Sequence, residues 1–218
     1  MWKSRKNLPA LLELDYKFDI DKLVIEYIDV MNDRPWDAYE NEYANLKETW
    51  TGITHNSDWK NDTSSQMALT VYDPDYTIRE NRNSGSKWDY TYYKNDQACD
   101  GRSYSKLKND LPPYFSEVID FFTPHRERVI LSKLYPTKSL GKHVDHDSLL
   151  SIRFHIALQT NEDCFMCFED STGIVRQHIP ADGKVWFLNP GLPHWVENNG
   201  DMERTHLIIN MDSQRLIQ

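Results

Sequence analysis

The chain has 218 residues, 39% hydrophobic and 12% aromatic, enough to fold as one sizeable domain around its own core. Lys plus Arg total 25 against 34 Asp plus Glu, a formal net charge of −9, which argues against nucleic acid as a partner because phosphate binding needs clustered positive charge. The opening apolar run is broken at Glu13 and Asp15, so neither a signal peptide nor a membrane span is expected. Three cysteines (Cys99, Cys164 and Cys167) make no disulfide framework, and a cytoplasmic setting is expected.

In chain order, the first predicted helix starts at Asp19 as N-cap. Ile20, Leu23, Val24, Tyr27, Ile28 and Met31 fall at helical spacing and predict one buried stripe. Asn32-Asp33-Arg34-Pro35 ends it. Residues 36–110 are polar and weakly patterned, apart from a strand expected at Gln66–Tyr72. The segment 74–108 reads as a long loop suited to a lid. A second helix is expected over Leu111–Phe122, capped by Asp110, with Phe115, Val118, Ile119 and Phe122 on its buried face.

From about Arg128 the pattern changes to short strands: Val129–Tyr135, Leu150–Thr160, Cys164–Glu169, Ile174–Ile179, Lys184–Leu188, His194–Glu197 and Arg204–Met211. Turn residues separate them, and no helical pattern intervenes. The expected fold is mainly β with flanking helices: a double-stranded β-helix (jelly-roll, cupin-like) core over 126–213, elaborated by residues 1–125, all in a single domain 1–218.

Strand parity locates the polar groups. Ile152, Phe154, Ile156 and Leu158 share one face of their strand; Arg153, His155, Ala157 and Gln159 share the other. Arg204 and His206 likewise share a face with Ile208. Such groups are costly to bury without partners, so they read as the lining of a polar pocket.

The stretch GKHVDHDSLLSIRFHIALQT adds a metal motif. A His-x-Asp pair puts two ligands on the same side of an extended chain, and His143-Val144-Asp145 has that form. His146 does not, because Ser148 lies two residues on and the adjacent Asp147 points the other way. A distant His would complete two histidines and one carboxylate, the triad of non-haem Fe(II) oxygenases. His194, where a Pro-Gly turn hands over to a strand, is the best candidate, and Arg204 follows ten residues later. Taken singly, each of these residues also fits a solvated turn or a hydrogen-bonded histidine; the combination favours metal. Cys164-Phe165-Met166-Cys167 lacks the further ligands of a zinc site, and both sulfurs are expected to pack. His206 reads as a neighbour of the site rather than a ligand, and His125 and His178 as surface or turn residues.

Ser132, His143-Val144-Asp145, Arg153-Phe154-His155, His194 and Arg204 resemble, in order and spacing, the aspartyl/asparaginyl β-hydroxylase family of Fe(II)/2-oxoglutarate-dependent oxygenases, which includes proline cis-hydroxylases. The resemblance covers residues 128–212. It implies iron at His143, Asp145 and His194, and 2-oxoglutarate at Ser132, Arg153, His155 and Arg204. It implies O2 as co-reactant and hydroxylation of a C–H bond in an amino acid, or in an Asp, Asn or Pro residue of a peptide or protein. Some members carry Gly at the carboxylate position; Asp145 sets this chain nearer the proline-hydroxylase side. The rival readings are a non-catalytic cupin-like module that binds a small acid, and a zinc hydrolase using the same ligands. The late Arg argues against the hydrolase, which needs no dedicated carboxylate clamp.

Overall fold

The computed structural model describes residues 8–33, 64–71, 105–123, 125–145, 148 and 151–213. His55, Trp50, Trp59, Trp88, His146, Asp147 and nearly all of the expected lid lie outside the described residues. The elements are β1 Leu11–Lys17, α1 Ile20–Asp33, β2 Ser64–Ala68, β3 Thr70–Val71, β4 Lys106–Leu107, α2 Pro113–Asp120, β5 Arg126–Leu134 and β6 Ser139–His143. They continue as β7 Ser151–Gln159, β8 Cys164–Asp170, β9 Gly173–Gln177, β10 Lys184–Leu188, β11 His194–Asn198 and β12 Arg204–Asp212.

One antiparallel sheet has the order β1-β10-β7-β12-β5-β2, and a second has the order β6-β11-β8-β9. The eight strands from β5 to β12 thus divide between two facing sheets, the double-stranded β-helix that the strand spacing predicts. β3 and β4 form a separate two-stranded ribbon.

The larger sheet is buried on both faces. On its outer face Val129, Leu131, Ile152, Ile156, Leu158, Val185, Phe187, Leu207 and Ile209 join Leu23, Tyr27 and Val30 of α1 and Phe115, Val118 and Ile119 of α2 in one core. On its inner face Leu134, Ala157, Trp186 and Leu188 meet Cys164, Met166, Phe168 and Val196 of the smaller sheet. Each large apolar side chain fully removed from water there is worth roughly 1.5–3 kcal/mol. The helices therefore back the larger sheet, and the interior between the sheets is left for polar residues among apolar walls. No helix among the described residues is long and apolar enough to cross a membrane.

Several local expectations are corrected. Asp19 does cap α1, accepting from the N–H of Lys22 at 3.2 Å. The buried positions of that helix are Leu23, Tyr27 and Val30, however, while Ile28 is 50% exposed, because the face that meets the sheet is rotated by about one residue from the apolar stripe. The helix α2 begins at Pro113, not Leu111, and Asp110 does not cap it. Its first N–H groups are satisfied from another helix instead: Tyr114 and Phe115 donate to the Glu26 carboxylate at 3.0 and 2.7 Å. The expected strand Gln66–Tyr72 divides into β2 and β3.

β1 and β6 were not expected. β1 is a mostly exposed edge strand whose charges, such as Glu13 paired with Lys184 at 2.5 Å, blunt the sheet edge. Gly183, at φ +85°, turns the chain into β10 where an added Cβ would lie 2.2 Å from the Phe18 carbonyl oxygen. The N–H of Phe18 donates to the carbonyl oxygen of Gly183 at 2.9 Å, tying the end of β1 to the turn.

Candidate active site

The pairing of β6 with β11 sets His143 opposite His194. Each imidazole lies with Nδ1 against a carbonyl two residues before it: His143 against Gly141 at 2.7 Å and His194 against Leu192 at 2.8 Å. A carbonyl only accepts, so each Nδ1 carries the proton and each Nε2 presents a bare lone pair. Asp145 follows the end of β6, and its N–H donates to the Pro190 carbonyl at 3.0 Å. Its carboxylate lies 3.6 Å from His143 Nε2 and 3.4 Å from His194 Nε2. Ligand atoms of the three residues all fall within 4.8 Å of one another.

Arg153 reaches the same point from the larger sheet, donating to Asp145 Oδ2 at 2.5 Å and to Asn210 Oδ1 at 2.9 Å. Asn210 in turn donates to the Arg128 carbonyl at 2.9 Å. Burial alone would raise the carboxyl of Asp145, but the Arg153 guanidinium holds it well below the usual carboxylate range. Burial lowers His143, with Asp145 opposing it. The carboxylate is thus ionised and both imidazoles can offer Nε2, a donor set suited to a divalent first-row ion such as Fe(II).

Deeper between the sheets lies a second polar group. Arg204 is 2% exposed and fully enclosed. Among the described residues no carboxylate comes within ion-pair distance of its guanidinium, whose Nη2 contacts His206 Nδ1 at 2.7 Å and Met166 Sδ at 3.6 Å. Burial lowers its pKa to about 10, so it remains charged near neutrality. Holding an unpaired cation in such a place is costly, and an anionic ligand would offset that cost.

Ser132 is buried on β5, opposite His206 of β12 and Gln66 of β2. His155 is also buried, its Nδ1 is 3.2 Å from His206 Nδ1, and its Nε2 has no partner among the described residues. The indole N–H of Trp186, whose Cα is in register with His155, is buried and also has no partner among the described residues. The orphaned indole N–H and the Arg204 guanidinium, both donors without an acidic partner among the described residues, fit a bound cosubstrate that bears a carboxylate.

All seven residues singled out from sequence therefore line one interior. His143, Asp145 and His194 converge at one end, with Arg153 beside Asp145. Ser132, His155 and Arg204 lie along the larger sheet. Cys164 and Cys167 are both buried and face opposite sides of β8, with Cys164 in the inner core, which fits packing and not zinc. His178 Nδ1 donates to the Cys164 carbonyl at 3.0 Å. Asn210, Trp186 and the contact between His206 and Arg204 were not anticipated. Parity on β12 and β10 put these side chains inward, but nothing in the sequence said which neighbours they would meet.

The profile of the aspartyl/asparaginyl β-hydroxylase family matches residues 33–214. The chain belongs to that family. It is accordingly an Fe(II)/2-oxoglutarate-dependent oxygenase, as its motifs imply. A comparison with curated protein sequences finds no match. Among solved structures, an oxidoreductase of the 2OG-Fe(II) oxygenase family from Burkholderia pseudomallei is 10% identical, with a TM-score of 0.46 over 91% of this chain and 92% of that one. A cupin domain from Bordetella pertussis Tohama I is 20% identical, covering 40% of this chain and 82% of that one at a TM-score of 0.32. HygX from Streptomyces hygroscopicus, with nickel and 2-oxoglutarate bound, is 11% identical over 47% of this chain and 66% of that one, with a TM-score of 0.39. Membership rests on the profile match alone.

Proposed function

We propose that this β-hydroxylase-family member holds Fe(II) through His143, Asp145 and His194, binds 2-oxoglutarate with Arg204 and Ser132 at its far carboxylate, and hydroxylates a C–H bond of an amino acid. The same chemistry on an Asp, Asn or Pro residue of a peptide is the alternative substrate form. Arg153 and His155 flank the path between the two ends. The core over 126–213 carries the chemistry, with residues 1–125 as its elaboration. The observation that carries this reading is the pairing of a two-histidine, one-carboxylate cluster with a buried Arg that has no carboxylate partner among the described residues.

When bound, iron with 2-oxoglutarate and O2 supplies the oxidant, 2-oxoglutarate leaving as succinate and carbon dioxide while the substrate C–H becomes C–OH. The protein's residues prepare that chemistry. The Gly141 and Leu192 carbonyls keep Nε2 of each histidine bare, and Arg153 keeps Asp145 ionised and aimed. Arg204 offers a fixed fork, which can grip a carboxylate in bidentate fashion. The apolar wall of Leu134, Ala157, Met166, Phe168 and Leu188 excludes water from the interior, which strengthens every charge interaction inside it.

The test is purified protein with Fe(II) and 2-oxoglutarate, screened against amino acids and short peptides by mass spectrometry for succinate and for a gain of one oxygen. Turnover dependent on both iron and 2-oxoglutarate supports the reading. The absence of both turnover and iron binding overturns it, and ligand-dependent thermal stabilisation without metal would then favour the small-acid-binding module.

A further inference from the structure

β12 carries His206 two residues after Arg204 on the same inward face, in Cα register with Ser132 on one side and Ala157 on the other. One nitrogen of this ring, Nδ1, makes two contacts: Arg204 Nη2 at 2.7 Å and His155 Nδ1 at 3.2 Å. All three side chains are buried. A guanidinium can only donate. The 2.7 Å contact therefore requires His206 Nδ1 to be the acceptor, which puts its ring proton on Nε2. Two bare nitrogens facing each other at 3.2 Å would repel, so His155 must carry its proton on Nδ1 and donate to the same acceptor. His155 Nε2 is then a bare acceptor, and it is the atom with no partner among the described residues.

We propose that His206 is a positioning residue for cosubstrate recognition: through Nδ1 it aims the Arg204 guanidinium and holds His155 in the Nδ1–H tautomer. This rests on the function proposed above and deepens it. Burial, reinforced by the charge of Arg204, keeps both imidazoles well below their ordinary pKa, so neither acts as a second cation. It follows that the far carboxylate is read by Arg204 alone among these three. His155 Nε2, as an acceptor, faces a hydrogen-bond donor (an ordered water or a substrate N–H or O–H) and not a carboxylate oxygen. The resemblance alone would have made His155 a direct cosubstrate contact; the hydrogen-bond chain reassigns it.

Two measurements test this. Nitrogen-15 NMR of histidine-labelled, Zn(II)-loaded protein should find the proton of His206 on Nε2 and that of His155 on Nδ1. Titration of 2-oxoglutarate into Mn(II)-loaded protein should show His206→Leu weakening binding about tenfold, a loss of 1.4 kcal/mol, with Mn(II) affinity unchanged. His206→Asn, whose Oδ1 replaces the acceptor, should restore most of the affinity. In turnover the Leu variant should raise KM for 2-oxoglutarate and leave kcat near wild type. A proton on His206 Nδ1, or a Leu variant that binds 2-oxoglutarate like wild type, overturns the proposal. If His206→Leu does not fold, the tautomers and the Asn variant decide it. Failure of the underlying function looks different: Arg204→Ala would then bind 2-oxoglutarate no worse than wild type.

Discussion

His143 on β6 faces His194 on β11 across an antiparallel ladder, with ring centroids 4.4 Å apart. Each ring is steadied by a carbonyl two residues before it in the chain, and Asp145 is pinned by its backbone to Pro190 of the turn that leads into β11. The candidate iron site is thus a consequence of strand pairing: the motif His-x-Asp supplies two ligands, and the ladder delivers the third.

Removing a ligand should therefore abolish function without unfolding the jelly roll. His194→Ala is expected to eliminate succinate formation and to lower Mn(II) affinity by more than the roughly 10–100-fold that loss of an outer-shell partner costs. His146→Ala, by contrast, should leave metal binding unchanged. Metal titration of both variants checks this, and an inactive, metal-free His146→Ala protein would shift the ligand assignment.

Arg204 is expected to trade stability for binding. Arg204→Met should weaken 2-oxoglutarate by roughly 10–100-fold, the equivalent of losing charged hydrogen bonds worth about 1.5–3 kcal/mol. The same change removes a buried charge that has no carboxylate partner among the described residues, so the Tm of the ligand-free protein should rise. Calorimetric titration and thermal melts of one variant test both halves.

The pH dependence of stability has a defined sign. Burial and Arg204 hold His155 and His206 well below the ordinary histidine value of 6.5. As pH falls through that value, the unfolded chain takes up protons that the folded chain refuses. Stability is therefore complete above it and declines on acidification, by about 1.4 kcal/mol per pH unit for each such imidazole. His143 acts in the same direction. Asp145, with its depressed carboxyl, contributes stability that is lost only as pH falls below the usual 3.8 toward its folded value. Thermal melts of metal-free protein between pH 7.5 and 5 should show the histidine decline, and His206→Asn should make it shallower.

Glu26 offers a test of how the helices are fixed. Its carboxylate accepts from the first free N–H groups of α2, so Glu26→Ala is expected to cost about 1–2 kcal/mol, as loss of an N-cap does. For a chain of this length that is a Tm lower by roughly 2–8 °C. Turnover per folded molecule should be nearly unchanged, because α1 and α2 pack on the outer face of the larger sheet.

How much of this was legible beforehand depended on whether the signal was periodic. Alternation placed Arg153 and His155 on the inward face of β7, and Arg204 and His206 on that of β12, because side chains on a strand face opposite sides in turn. β6 escaped notice because Ser-Leu-Gly-Lys-His has one apolar residue and a glycine, and β1 because an edge strand needs no buried face.

The sequence by itself determined the fold class, the interior-facing polar residues and the identity of the candidate ligands, all of which depend on local period and on motif. Only the tertiary structure decided who meets whom. It set His194 opposite His143, gave Arg153 to Asp145, left Arg204 without a carboxylate among the described residues, and made His206 the shared acceptor of Arg204 and His155. Those relations join residues far apart in the chain, and they arise from which strands pair and in what register, a choice that no local pattern encodes.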